Sequence, residues 1–94
     1  MKTSELLINR NIAVNGKVWL LNKCAEECVE LAGAILKHFN KGESEKEIQA
    51  EIADVEIAIE HLSLIYGREL IDNFKLEKID RIERRIEEKE AMKC

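Results

Sequence analysis

Two pairs of acidic residues, each spaced three positions apart, stand in helix-like segments of this 94-residue chain. The first pair is Glu27 and Glu30 in KCAEECVEL, and the second is Glu51 and Asp54 in EIADVEIAI. At about 100° per residue, both pairs fall on the same shoulder of the apolar stripe of their helix. Four carboxylates gathered at a partly buried site repel one another unless a cation holds them. Because oxygen ligands suit a hard divalent cation, and Mg²⁺ in particular, the sequence predicts a divalent metal site formed by these four residues.

The same acids have a second interpretation as a solvated acidic surface, since charged residues three apart are common on helices and pair with lysines. Lys23, one turn before Glu27, fits both interpretations, because it can neutralise Glu27 or contact a phosphate. Glu26 falls towards the outer side of the helix, where it can support the ligands without joining them. A zinc site is not expected, since neither histidine has a ligand-type spacing to the cysteines.

Composition predicts that helices position these acids. The chain is 46% hydrophobic and 36% charged, with no proline and four glycines, which favours an all-α fold. Residues 1–16 are predicted to form a short N-terminal helix and loop, capped by Thr3 or Ser4. A long second helix runs from Val18 to about Phe39. The chain is expected to be one domain, residues 1–94, forming an antiparallel four-helix bundle.

The second half of the chain shows a clear helical period. Ser44 followed by Glu47 is a capping box that opens the third helix, and Gly67 ends it. The apolar stripe of the third helix advances by alternating steps of four and three, at Ile48, Ile52, Val55, Ile59, Leu62 and Tyr66. A fourth helix begins near Arg68, and residues 87–94 are expected to be a fraying tail.

A third set of positions predicts oligomerisation. Ala53, Ile57 and Leu64 lie on the far side of the third helix from its main stripe, where a helix packed on one side only would leave them in water. A second packing partner is therefore expected, and the bundle is predicted to be completed in a homodimer or homotetramer.

Charge and hydropathy exclude several classes of partner. The formal net charge is -4, so a protein that binds the backbone of a nucleic-acid polymer is not expected. No apolar run approaches the roughly 20 residues of a membrane span, so no membrane partner is expected. The three cysteines and the absence of a secretory signal predict reduced thiols in a cytoplasmic protein.

The acidic motifs carry a resemblance to a known family. KCAEECVEL followed by EIADVEIAIEHL resembles the MazG-like, all-α nucleoside triphosphate pyrophosphohydrolase superfamily, whose signature is E-x-x-E, a spacer, and E-x-x-D. In this chain the signature is Glu27-x-x-Glu30 and Glu51-x-x-Asp54, and the similarity extends from about Leu7 to Ile86. The upstream NRNI is also similar to the N-terminal segment of small MazG-like proteins.

The resemblance implies hydrolysis of a nucleoside triphosphate to the monophosphate and pyrophosphate, with Mg²⁺ or Mn²⁺ as cofactor. Glu27 or Glu30 would accept a proton from the attacking water. Basic residues of the last helix would contact the phosphates, and Lys78 and Arg81 are the candidates, with Lys75 as a substitute. Trp19 is a candidate to stack on the base, although a lone tryptophan also fits a core or an interface.

The residues also bear on three other functions. Phosphoribosyl-ATP pyrophosphohydrolase shares the acidic pattern, but DVEIAIEHL and NRNIAVNG look more MazG-like. A di-iron bundle needs Glu-x-x-His on two helices, and neither His38 nor His61 has a glutamate three residues before it. A non-catalytic helical dimerisation or binding module would use exposed apolar faces, but it leaves the two acidic shoulders without a role.

Overall fold

A computed structural model describes residues 1–42 and 44–93 of the chain, and these residues form four helices and no strand. The helices are α1 (Glu5–Asn15), α2 (Lys17–Lys41), α3 (Glu45–Tyr66) and α4 (Arg68–Lys93). The prediction of an all-α helical fold is therefore confirmed. Within the described residues, no helix combines the length and the apolar character that crossing a bilayer requires.

The helix ends follow from local chemistry. The hydroxyl of Ser4 accepts a hydrogen bond from the backbone N–H of Leu7, and that of Ser44 accepts one from Lys46, so both predicted serine caps are confirmed. Gly16 and Gly67 separate consecutive helices with φ angles of 85° and 101°, which residues with a side chain rarely adopt.

Helices α2 and α3 pack along their length as a hairpin, and α1 lies against both of them. Leu20, Cys24 and Ala34 are the buried apolar residues of α2, and Ile8 of α1 has no exposed surface. The side of α3 that carries Ile57 and His61 faces α1, so α1 of the same chain supplies part of the second partner predicted for α3.

The N-terminal segment is tied to α3 by a charge-assisted hydrogen bond. The backbone N–H of Thr3 donates to Oε2 of Glu60 at 2.6 Å. This bond, with the nearby charges of Lys2 and Arg68, lowers the pKa of Glu60 below its ordinary value. The charged form of Glu60 is thus bound better in the folded state than in the unfolded one.

The sign of this effect gives a first prediction. Because the folded pKa of Glu60 lies below the unfolded one, its contribution to the free energy of unfolding is complete above about pH 4.5 and is lost as the pH falls through the folded pKa. We expect Glu60→Gln to reduce this acid-side loss relative to the parent chain, with Glu56→Gln as an exposed control on the same helix. Urea unfolding from pH 3 to pH 7 measures the free energy of unfolding of the parent and both variants. The prediction would be contradicted if this free energy changed with pH equally in the parent and in Glu60→Gln.

Helix α4 projects from the hairpin. Among the described residues it packs against α3, its first residue, Arg68, also forms an ion pair with Glu5 of α1 at 3.9 Å, and every described residue from Asp72 to Lys93 is exposed. The radius of gyration is 17.0 Å, against about 12 Å for a compact chain of this length. The fourth helix therefore contributes only its first turns to the packing within one chain.

Helix α4 includes the described part of the segment that is predicted to fray, residues 87–93. Helix α4 continues to Lys93, and Cys94 lies outside the described residues. Glutamate, lysine and arginine dominate this stretch and are strong helix formers, which agrees with its helical conformation. Fraying of this end stays a prediction.

The hairpin also has a wide apolar surface on the side away from α1. On α2, apolar residues advance by alternating steps of three and four from the first turn to the last, at Val18, Leu21, Ala25, Cys28, Ala32, Ile35 and Phe39. The apolar stripe of α3 from Ile48 to Tyr66 lies beside them. We call these two rows together the outer apolar face. All of its residues are exposed or half-buried in the single chain.

Candidate metal site

Three of the four predicted carboxylates meet between α2 and α3. One carboxylate oxygen each from Glu27, Glu51 and Asp54 lie within 4.8 Å of one another. Glu27 comes from α2, and Glu51 and Asp54 come from successive positions on one face of α3, as their spacing requires. The hairpin packing therefore assembles a cluster of three carboxylates from residues that are distant in the sequence.

Two residues of this cluster, Glu27 and Glu51, each have a buried carboxylate oxygen without a hydrogen-bond partner in the described part of the chain. Glu27 is only 7% exposed, and its Oε2 is buried without a hydrogen bond within the described part of the chain. The Oε2 of Glu51 is in the same state. A buried carboxylate oxygen without a partner is costly, whereas a cation placed between the three side chains would satisfy it. The donor set and these two atoms fit a hard divalent cation.

The pKa of Glu51 is affected by the neighbouring carboxylates. Burial raises the pKa of Glu51 above its ordinary value, and the charges of Glu30, Asp54, Glu27 and Glu47 raise it further. The negative charge on Glu51 is thus disfavoured in the cluster as it stands.

Lys23 supplies part of the missing positive charge. Its Nζ lies 3.2 Å from Oε1 of Glu27 and 3.9 Å from Oε2 of Glu26. The hydrogen bond with Glu27 is the main cause that raises the pKa of Lys23. Glu26 is exposed and is linked to the cluster by its ion pair with Lys23. Of the two predicted roles for Lys23, the neutralising contact is therefore present in the structure.

Three predicted site residues do not join the cluster within one chain. Glu30 is exposed and is not among the three residues whose oxygens meet, although its charge acts on Glu51. Lys78 and Arg81 lie on the exposed part of α4, which has no contact with α2. Lys78 and Arg81 lie away from the cluster because α4 leaves the hairpin after its first turns. The sequence pattern of α4 does not show this.

A cavity of about 200 Å³ opens beside the cluster. It includes Glu27 and Asp54 in its wall, with Trp19 and Ile57 as large apolar members and Lys23 as a charged one. Sites for whole small-molecule ligands usually measure roughly 300–1,000 Å³, so this cavity has room for part of a ligand, such as a ring system. Trp19 is 46% exposed, so its indole is accessible to such a ring.

Two further residues of the cavity wall, Asn11 and His61, were not predicted as site residues. Nδ1 of His61 donates to the carbonyl of Ile57 at 2.8 Å, so the other ring nitrogen, Nε2, accepts from the amide of Asn11 at 3.0 Å. The oxygen of Asn11 in turn accepts from Asn15 at 2.6 Å. The sequence holds one usable signal, because His61 stands seven residues after Asp54 and thus on the same face of α3. Nothing in the sequence alone pairs it with Asn11.

This hydrogen-bond chain gives a second prediction. Asn11→Ala removes the donor to Nε2 of His61, a side chain that is buried, and should lower the free energy of unfolding by about 1 kcal/mol. Asn9→Ala is the matched control, because Asn9 is exposed on the same helix. Urea denaturation of the two variants measures the difference. Equal stabilities would show that water replaces the amide without cost.

Comparisons with protein-family models, with curated proteins and with solved structures find no match for this chain.

Proposed function

We propose that this protein is a metal-dependent nucleoside triphosphate pyrophosphohydrolase, which converts a (d)NTP and water to the (d)NMP and pyrophosphate. The observation that carries the proposal is the position of the carboxylate cluster at the edge of a cavity that also contains Trp19. An oxygen-rich cation site and an accessible aromatic ring, side by side, match the two ends of a nucleotide. The sequence resemblance to the MazG-like superfamily points to the same reaction.

Glu27, Glu51 and Asp54 are the residues that would hold Mg²⁺ or Mn²⁺. When bound, such a cation would offset the charge of the triphosphate and lower the pKa of water in the site. Lys23 adds positive charge at the cavity wall, where it can contact a phosphate oxygen. Lys78 and Arg81 stay predictions for phosphate contacts, since α4 would have to reach the site from another chain.

Glu30 is the better of the two predicted proton acceptors. Glu27 has one oxygen bonded to Lys23, its other oxygen is buried, and Glu27 is one of the three clustered residues. The carboxylate of Glu30 lies beside the cluster, is open to solvent and is not one of the three clustered residues. In the proposed reaction, the water oxygen bonds to phosphorus, a P–O bond of the α,β-anhydride breaks, pyrophosphate leaves, and Glu30 takes the proton of the water.

The test is pyrophosphate release from a panel of ribo- and deoxynucleoside triphosphates and phosphoribosyl-ATP, each with Mg²⁺, with Mn²⁺ and with a chelator. The proposal expects metal-dependent release of pyrophosphate rather than orthophosphate from at least one nucleoside triphosphate. Turnover of phosphoribosyl-ATP alone would favour the histidine-pathway enzyme. No turnover by the folded protein would leave a non-catalytic binding module.

A further inference from the structure

We propose that Cys24 and Cys28 form a second ligand site, which binds a soft centre that is satisfied by two thiolates: Cu(I) or a trivalent arsenical that carries one organic group. This site differs in chemistry from the carboxylate cluster, because sulfur ligands select soft ions and carboxylate oxygens select hard ones. The proposal goes beyond the proposed function and does not rest on it.

The two thiols stand one turn apart on the same side of α2. Cys24 is only 4% exposed, whereas Cys28 is open to solvent. Side chains four residues apart on a helix lie one above the other. Burial raises the pKa of the Cys24 thiol, and the neighbouring thiol of Cys28 raises it further, so the two groups lie close enough to interact. The pair is therefore a buried thiol with an exposed thiol directly beside it.

The spacing of the pair fits a bridge of one atom better than a direct bond between the sulfurs. Four residues apart in an α-helix, the Cα atoms are separated by about 6.2 Å and the Cβ atoms by roughly 5–6 Å. A disulfide needs Cβ atoms about 3.8 Å apart, so a direct bond would distort α2. An atom inserted between the two sulfurs lengthens the bridge and leaves the helix in place. The intact helix thus favours a dithiol that captures one centre.

The number of ligands decides which centre the pair selects. Among the described residues, the one group of three or more ligand-type side chains is the carboxylate cluster, which includes neither cysteine. A structural zinc ion takes four protein ligands, so two thiolates do not satisfy it. Cu(I) is soft and accepts two thiolates, and an arsenical with one organic group has two positions for sulfur. Both centres are complete with what α2 alone provides.

Capture begins at Cys28, because its thiol is open to solvent. An arsenical oxide, R–As=O, loses its oxygen as water: each thiol gives one proton to that oxygen, two As–S bonds form, and arsenic stays trivalent. Cu(I) instead displaces both protons into the solvent and keeps its oxidation state. In both reactions the second bond forms within one chain, where Cys24 is held beside Cys28 at a high effective concentration.

The experiment titrates the folded 94-residue chain with phenylarsine oxide in a Cys94→Ser background, which leaves Cys24 and Cys28 as the thiols. We expect one arsenical per chain by mass spectrometry and the loss of both thiols to a thiol reagent. The melting temperature should rise, because the bridge closes one turn of α2 in the folded state. Cys28→Ser should weaken binding about a hundredfold, since a single thiol lacks the second, intramolecular bond.

The matched control moves the exposed thiol and keeps the number of thiols. Cys28→Ser combined with Ala25→Cys places an exposed thiol next to Cys24 in the sequence but about 100° away around the helix. This control should bind as weakly as Cys28→Ser alone. Equal affinity of the control and the parent would overturn the proposal. So would an arsenical that joins two chains, or a parent that does not bind it.

A second titration, with Cu(I) under reducing conditions, distinguishes the two sources of the soft centre. Tight binding of one Cu(I) per chain that the control abolishes would assign the pair to a monovalent metal. Tight binding of the arsenical with weak binding of Cu(I) would assign it to trivalent arsenic. Zn²⁺ should leave both thiols open to the reagent, and their protection by Zn²⁺ would overturn the choice of a centre with two ligands.

Discussion

Replacing Asp54 with Asn, or Glu27 with Gln, should lower metal-dependent pyrophosphate release by about 100-fold or more. Each change removes one charge from the cluster of three carboxylates and keeps the volume of the side chain. The cluster has three carboxylates, so the two that remain cannot replace the charge that the substitution removes. Steady-state rates with Mg²⁺ and with Mn²⁺ measure the effect.

The control for this prediction is Glu56→Gln. Glu56 is exposed, lies two residues from Asp54 on α3 and is not one of the clustered residues, so the same change of charge should leave the rate nearly unaltered. Full activity of Asp54→Asn would remove this residue from the site. An equal loss in all three variants would show that the overall charge of the protein, and not the cluster, governs the rate.

Mg²⁺ or Mn²⁺ should raise the free energy of unfolding by about 2.7 kcal/mol at a hundredfold excess over its dissociation constant. The cation would satisfy the unpartnered oxygens of Glu27 and Glu51, which no group of the described chain satisfies. Thermal unfolding with cation and with chelator measures the increment. The readout does not depend on turnover, so it tests the metal site even if no substrate is hydrolysed.

Glu51→Gln should change stability in opposite directions with and without the cation. Because the folded pKa of Glu51 is raised, the metal-free protein loses stability as the pH rises from about 4.5 through that pKa. The neutral amide removes this loss, so we expect the variant to unfold at a higher temperature than the parent at pH 7 in chelator. In the same variant, the cation should produce much less of the increase in stability that it produces in the parent.

The pH dependence of the cation effect has a definite sign. Protons compete with the cation for Glu51, because burial and the neighbouring carboxylates raise its pKa above the ordinary value. The stabilisation by cation should therefore shrink towards acid pH in the parent and stay unchanged by Glu56→Gln. A stabilisation that is equal in the parent and in Glu51→Gln at every pH would place the cation elsewhere.

Much of the architecture was predictable because it depends on local chemistry. The serine caps, the glycine breaks and the helical period of the apolar residues define four helices from short stretches of sequence. The charged end of α4, residues 87–93, is helical, as its residue types favour. Polarity predicts solvent exposure, which is correct for α4, but it does not predict loss of helix.

The candidate site was predictable only as far as spacing within one helix allows. Glu51 and Asp54 share a face of α3 because three residues make nearly one turn, and the sequence shows this directly. The meeting of these two with Glu27, and the exclusion of Glu30, depend on the rotation and register of α2 against α3. Those quantities are set by how the buried side chains interlock, so no single helix specifies them.

The sequence by itself determined the helices, their ends and the acidic shoulders, because each of these arises from contacts between residues a few positions apart. Only the tertiary structure decided which carboxylates converge, that Asn11 and His61 join across two helices, and that α4 leaves the hairpin. It also decided that the rows of α2 and α3 form one continuous outer apolar face. These features depend on contacts between distant segments, which are fixed by packing the whole chain at once.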